Sequence, residues 1–444
     1  MAFLDEISDP DRIERQLDRL AARARGRRAE ALVQDGVPFR HILDDRDRVV
    51  SLLARALGDG SYRPGIATMA RAHLAGKPRD LARVGALDLV VHAVVGDVLR
   101  ERLEPTLSDR LYSYRRGRSA WQALRAVARA AIAHRRAVAD PRARGLYVLR
   151  SDVRSYTDSI PLEGQVVLWR ELAEVIGGAL ESGEVALVRA LVQPEVASND
   201  GTARRTRGLL FGVATTAPIA NMYLRPLDAA LETLGTYARF GDDVLLASAE
   251  PDVVRDAKQT LERVLEGRGL AANPRKLRVL YWNGAARPSE AWPDAVPTDA
   301  LPFLGAEVRF DGTIALPPAK WRAMLHDLRG RIRRTGRLLE GESLSARAGV
   351  LADGVEQAFD VRSPLALAYA PVVSDLVSDR AQLRQLDHVL ALWIAETATG
   401  VRGPRAFRDL PPRAMRRAGL GSRLLGRNRG RHGGRRDAGG GGGT

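Results

Sequence analysis

The sequence predicts an α+β protein, with an antiparallel sheet in the middle of the chain and helices segregated towards its two ends. Three observations lead there. Tyr237-Ala238-Arg239-Phe240-Gly241-Asp242-Asp243-Val244-Leu245-Leu246 rises through apolar and aromatic residues to two carboxylates and falls back into Val-Leu-Leu, the pattern of a β-hairpin with the acidic pair at or beside its turn. Leu146-Tyr147-Val148-Leu149 is a short strand-like run that ends in Arg150-Ser151-Asp152-Val153. Helical spacing governs the ends: Ile13, Leu17 and Leu20 share one face, and so do Trp321, Leu325, Leu328 and Ile332.

Composition narrows the partners. With 444 residues, 45% of them hydrophobic, the chain can bury roughly two or three packed units. Lys and Arg number 69 against 54 Asp and Glu, and a net charge of +15 favours a polyanion, nucleic acid above all. No apolar run is long enough to span a bilayer and no signal-peptide pattern opens the chain, so no membrane is expected as a partner and the cytoplasm is the default location. Cysteine is absent, which excludes a disulfide framework and a thiolate metal site and leaves oxygen or imidazole ligands for any metal.

Residues 1–61 read as a charged helical extension that ends where Tyr62-Arg63-Pro64-Gly65 breaks the pattern. Over 62–150 come Gly76-Lys77-Pro78-Arg79-Asp80-Leu81, an Asp88-led apolar helix and the loop Tyr112-Ser113-Tyr114-Arg115-Arg116-Gly117-Arg118-Ser119. Lys77 offers a point charge and Arg79 a planar donor fork, both suited to a triphosphate. Arg115, Arg116 and Arg118, interleaved with Tyr112 and Tyr114, suit phosphate contact and base stacking. Over 151–318 the acidic strand end at Asp152 is followed by helical segments and a basic loop, Arg204-Arg205-Thr206-Arg207. A Gly-containing loop then enters a helix, Gly208-Leu209-Leu210-Phe211-Gly212-Val213 through Asn221-Met222-Tyr223-Leu224. There Gly208 and Gly212 would let backbone approach a ligand closely. An amphipathic helix with Val253, Ala257, Leu261, Val264 and Leu265 on one face, the turn Ala272-Asn273-Pro274-Arg275-Lys276 and a hairpin through Phe303-Leu304-Gly305 complete the region. Residues 319–425 read as helices with a basic face, and 426–444 as a Gly/Arg tail expected to be disordered.

The chemistry centres on the acids. A lone Asp-Asp pair is most simply a solvated turn. Asp152 on a second strand end changes that reading, because three carboxylates at neighbouring strand ends form a minimal cage for two Mg²⁺ ions about 3.5–4 Å apart.

Taken in order, these segments resemble reverse transcriptases, in particular the group II intron-type and retron-type enzymes, across residues 62–318. The resemblance implies a right-hand polymerase fold: fingers over 62–150, a palm carrying the antiparallel sheet over 151–318, and a helical thumb over 319–425. It implies an RNA-directed DNA polymerase that adds deoxynucleotides to a primer 3′-hydroxyl, with Mg²⁺ or Mn²⁺ as cofactor. Its partners would be an RNA template, a DNA or RNA primer, dNTPs and, in some branches, a dedicated non-coding RNA. Asp152, Asp242 and Asp243, with the carbonyl of Val153, would hold the metal, and Lys276 would protonate the leaving pyrophosphate. Lys77, Arg79, Tyr156, Thr157, Phe211 and Gly212 would contact the nucleotide. Arg115, Arg116, Arg118, Arg205 and the Phe303-Leu304-Gly305 primer grip would contact nucleic acid.

The sequence departs from the family pattern at Thr157, where a Phe or Tyr usually excludes a ribose 2′-hydroxyl. It departs again at Leu210, Phe211 and Val213, which replace Pro, Gln and Ser. These departures, and the lack of an endonuclease-like or zinc-domain-like segment after the thumb, point to a retron-like or antiviral-defence branch. Two alternatives stay open, a catalytically idle RNA-binding scaffold on a polymerase fold and a template-independent nucleotide polymerase.

Overall fold

A computed structural model describes residues 2–23, 39–74, 77–140, 144–164, 166–198, 201–360, 363, 365–367 and 370–423, and in it the chain folds as two units. The first takes residues 1–123, 146–280 and 289–296; the second takes 124–145, 281–288 and everything from 297 onward. The tail expected over 426–444 lies outside the described residues.

In the first unit, helix α1 (Pro10–Arg23) buries Ile13 and Leu17 completely, as their spacing predicts, while Leu20 stays half-buried. It packs on α2 (Ala86–Leu103), whose Val90, Val91, Val94, Val95, Val98 and Leu99 are all buried. Such an all-round apolar helix belongs inside a unit rather than on its surface. Between them β1 (Thr68–Leu74) and β2 (Lys77–Arg83) form an antiparallel hairpin.

The main sheet is built from β3 (Leu146–Ser151), β6 (Thr236–Phe240), β7 (Asp243–Ser248) and β8 (Arg278–Trp282). Their spatial order is β6-β7-β3-β8, and the short strand Val296–Thr298 adds a fifth member beyond β8. A small hairpin of β4 (Glu195–Ser198) and β5 (Gly201–Arg204) and the helix α3 (Thr216–Tyr223) precede the acidic hairpin, and α4 (Pro251–Gly267) follows it. Val254, Ala257, Leu261 and Leu265 are the buried face of α4. The α+β class with antiparallel sheets is therefore the observed one.

Register places the site. Strands β3 and β7 run antiparallel with Ser151 opposite Val244, and β6 pairs with β7 so that Phe240 faces Asp243. The end of β3 and the start of β7 thus meet at one edge of the sheet. The residue after β3 is Asp152, and the turn before β7 holds Asp242.

The second unit contains the strands β9 (Ala300–Phe303), β10 (Ala306–Arg309) and β11 (Ile314–Ala315) and the helices α5 (Pro318–Leu338), α6 (Leu344–Phe359) and α7 (Arg380–Thr399). Trp321, Met324, Leu328 and Ile332 of α5 pack with Leu351, Val355, Leu386, Leu390 and Ile394 in one core. Arg333, Arg334 and Arg337 lie exposed on the opposite side of α5. Among the described residues no helix is long and apolar enough to cross a membrane.

Candidate active site

The acidic hairpin is tight. With Phe240 paired to Asp243, only Gly241 and Asp242 remain for the loop, and Gly241 has φ +65°. A glycine at the first central position is what a type II′ hairpin turn demands. Asp242 is therefore the outermost residue of the turn, and Asp243 is the first residue of β7.

Asp152 is buried at the end of β3. Its backbone carbonyl accepts from Asn273 N at 2.9 Å, Arg154 N donates to Ala271 O at 2.9 Å, and Val153 bridges Ala272. These bonds stitch the 271–277 turn to the strand end, and Lys276 reaches back from it to pair with Asp152 Oδ2. The other carboxylate oxygen, Oδ1, is buried without a hydrogen-bond partner.

Electrostatics link the four residues. Asp242 is pushed up to about 6, first by burial and then by the negative charges of Asp243 and Asp152, against a smaller opposing pull from Lys276. The Lys276 ammonium is held above its ordinary value by its bond to Asp152 and by the charges of Asp243 and Asp242.

The donor set suits a hard divalent cation: three carboxylates and a backbone carbonyl are all oxygen, and one buried carboxylate oxygen has no partner. Among the described residues no group of three or more His, Cys, Asp or Glu side chains is arranged to hold a metal ion. Like charges repel, and Lys276 already neutralises Asp152.

A cavity of about 500 Å³ in the same unit is lined by Pro78, Arg79, Thr157, Arg205 and Phe211, together with Met69, Asp80, Asp158 and Val196. Three of the expected nucleotide contacts, Arg79, Thr157 and Phe211, thus converge with Arg205, which was expected to contact nucleic acid. The Arg79 guanidinium lies 5.9 Å from the centre of the Phe211 ring, and Phe211 O accepts from Ala82 N at 2.8 Å, which ties the loop to β2. Lys77 opens β2, but its side chain lies outside the described residues.

Several expected contacts stand elsewhere. Tyr156 does not line the cavity: it is buried, its hydroxyl donates to Ala220 O, and burial raises its phenol far above the ordinary value. Of the two neighbours, Thr157 is the one that faces the cavity. Gly208 packs against protein, since a Cβ there would lie 2.9 Å from Asp158 O. A Cβ on Gly212 would meet Leu81 at an ordinary contact distance of 3.6 Å, so its φ of +107° accounts for the glycine.

The basic loop divides in the same way. Arg115 is buried, held by Glu104 at 2.7 Å and by the carbonyls of Ser108 and Leu111, so its guanidinium braces the loop instead of facing nucleic acid. Arg116 is 64% exposed beside Asp97, and Arg118 pairs with Asp109. In the second unit Phe303 is fully buried in the core, where it cannot touch a primer. Leu304 and Gly305 form the two-residue turn between β9 and β10, and Lys320 Nζ donates to Gly305 O at 2.9 Å.

Sequence reasoning gave no role to Arg239, Asp228, Ser113 or Asn221, all buried around the acidic turn. The one available signal was an arginine at the centre of an otherwise apolar strand run.

Residues 78–308 match the family described as reverse transcriptase (RNA-dependent DNA polymerase). No curated protein matches the chain. Among solved structures, the chain is similar to telomerase from Candida albicans in complex with the TWJ fragment of telomeric RNA, at 12% identity and a TM-score of 0.44, covering 81% of this chain and 64% of that one. It is similar to apo telomerase from Candida tropicalis at 9% identity and a TM-score of 0.44, covering 80% and 66%. A form of the latter truncated from the C-terminal domain gives 11% identity, a TM-score of 0.41, and coverage of 56% and 55%. The chain spans less than two thirds of each of those proteins. The family match takes in more than half of the chain, including Asp152, the Asp242-Asp243 turn, Lys276 and the whole cavity lining except Met69. On that match the chain belongs to the reverse transcriptase family.

Proposed function

We propose that this protein is an RNA-directed DNA polymerase that extends a primer 3′-hydroxyl with deoxynucleotides. The observation that carries the reading is the meeting of Asp152 with the Asp242-Asp243 turn at one end of the central strands, with Lys276 among them. Asp152, Asp242, Asp243 and the Val153 carbonyl would hold Mg²⁺ or Mn²⁺. When bound, the metal supplies activation of the hydroxyl and neutralisation of the pyrophosphate charge.

The rest falls to the chain's own groups. Arg79 and Arg205 take the triphosphate oxygens, Arg79 with a planar fork. Thr157 and Phe211 border the sugar and base. As the primer oxygen, its proton released to solvent, bonds to the α-phosphorus, the bond to the bridging oxygen breaks, and Lys276 is the acid that gives pyrophosphate its proton. The template and primer would be RNA and an RNA or DNA strand, tracked in part by the exposed Arg116, Arg204 and Arg207. The departures at Thr157, Leu210, Phe211 and Val213 support a retron-like or defence-associated branch, working in the cytoplasm with a dedicated non-coding RNA.

Primer extension on an RNA template with Mg²⁺ tests the reading, wild type against Asp242→Ala. Loss of incorporation by several orders of magnitude in a folded variant is expected. Equal extension by both would sink it, and a wild type that binds RNA yet never extends a primer would favour the idle scaffold. Extension without a template would favour the template-independent enzyme. Sequencing of co-purified nucleic acid tests for the non-coding RNA.

A further inference from the structure

The acidic turn rests on a charged side chain that is entirely out of water. Arg239 lies on β6, two residues before Gly241, and is 0% exposed. Its Nε donates to Asp228 Oδ1 at 2.6 Å and its Nη2 to Asp228 Oδ2 at 2.6 Å, a two-pronged pair with a carboxylate that is itself buried. Nη2 also reaches Asn221 O at 3.2 Å, and Nη1 reaches Gly241 O at 3.0 Å. Four of the five donors of the guanidinium are therefore in use. From the other side Ser113 Oγ accepts from Gly241 N at 2.7 Å, and Ser113 and Asn221 bond each other twice, at 2.9 and 3.3 Å.

Gly241 is thus gripped at both its amide and its carbonyl. The carbonyl belongs to the peptide that leads into Asp242, so fixing that oxygen fixes the plane from which the Asp242 side chain departs. A two-residue loop with a glycine has other conformations open to it. Something must hold it in place. A buried ion pair contributes little net stability compared with apolar residues of the same volume, because both charges are stripped of water. Here its work is geometric.

We propose that Arg239 is a positioning residue for the acidic turn: clamped by Asp228, it holds the Gly241 carbonyl, with Ser113 holding the amide, and so sets the direction of Asp242. This deepens the polymerase reading and rests on it for the kinetic consequence only. The fork is essential to the idea. A lysine keeps the charge but offers one nitrogen, which cannot span both Asp228 oxygens and the turn.

The test uses Arg239→Lys and the volume-matched pair Arg239→Met with Asp228→Leu, each measured in two ways. Native-state hydrogen exchange of the Gly241 amide should accelerate about tenfold or more in both, while the amides of β3 and β7 keep their protection even if the melting temperature falls as the Gly241 and Asn221 carbonyls and, in the pair, the Tyr237 hydroxyl lose their partners. In primer extension, kcat should fall about 10- to 100-fold with KM for the nucleotide nearly unchanged, since the cavity residues are untouched. A pair with only a structural role predicts the reverse, loss of protection across the whole unit with normal kcat in whatever remains folded. Unchanged exchange at Gly241 in the lysine variant overturns the proposal, and so does accelerated exchange with unaltered kcat. Should the wild type extend no primer at all, the polymerase reading fails, and the exchange arm still decides whether Arg239 holds the turn.

Discussion

Thr157 and Tyr156 are neighbours in sequence with opposite environments. The threonine borders the cavity, and the tyrosine is buried with its hydroxyl spent on Ala220 O. A Thr fills less volume than a ring and offers a hydroxyl to a ribose 2′-oxygen. Wild type should therefore discriminate weakly between deoxy- and ribonucleotides, and Thr157→Phe should raise discrimination about tenfold or more, the scale of one overpacked contact. Single-nucleotide incorporation of each sugar checks this, and a strong deoxy preference that survives Thr157→Ala but collapses in Tyr156→Ala would move the role to Tyr156. Asp242 yields a second prediction. Its folded value of about 6 lies above the ordinary 3.8, so the group adds stability below about pH 4 and that contribution disappears as pH rises through 6. Without metal, Asp242→Asn should melt a few degrees above wild type at pH 7, and the gap should close towards pH 4. Thermal scans in chelator across that range decide it, since a constant gap would show that Asp242 carries no such strain.

At the scale of elements, α1 is fastened to α2 by two carboxylates, Asp97 and Glu101, of which Asp97 is the buried one. Asp97 is 5% exposed and meets Arg100 at 2.7 Å, Arg12 at 3.3 Å, Arg116 at 3.3 Å and Arg19 at 3.4 Å. Asp97→Ala would leave the guanidiniums facing one another, and should cost about 3 kcal/mol, the lower end for a broken buried pair because Arg19 and Arg116 keep much of their water. Urea unfolding measures it; a change within about 0.5 kcal/mol would mean the arginines pair elsewhere, with Glu101 the nearest candidate. The same cluster shows what the sequence conceals. Apolar periodicity revealed α1, α4 and the acidic hairpin, because burial of one face is a local pattern. Order along the chain placed Asp152, Asp242 and Lys276 together, because each closes a strand or a tight turn. Which arginines of a basic loop turn inwards is decided by acids outside the loop: Arg115 goes to Glu104 and is buried, whereas Arg116 stays exposed beside Asp97. Phe303 went the same way, since an aromatic in a hairpin reads alike whether it faces a ligand or a core.

For the molecule as a whole, a charge of +15 matters only through the cations that remain free to meet phosphate. Arg115 and Arg239 are committed to internal carboxylates, and neither can release a counterion from a nucleic acid. Arg204 is exposed on β5, and Arg333, Arg334 and Arg337 are exposed on α5. Affinity for an RNA/DNA duplex should therefore fall with salt, log K dropping about 0.7–0.9 per phosphate contact for each decade of salt concentration. Arg204→Gln should weaken binding at every sequence and reduce that slope by about one contact. Arg115→Gln should instead destabilise the fold, because it strands Glu104 and two carbonyls, and should leave the slope of the protein that stays folded unchanged. Fluorescence anisotropy between 50 and 300 mM salt (about a Debye length of 14 to 6 Å) gives both slopes from one set of titrations. If the two variants shift the slope equally, burial does not separate Arg115 from Arg204, and the inward assignment of Arg115 is wrong.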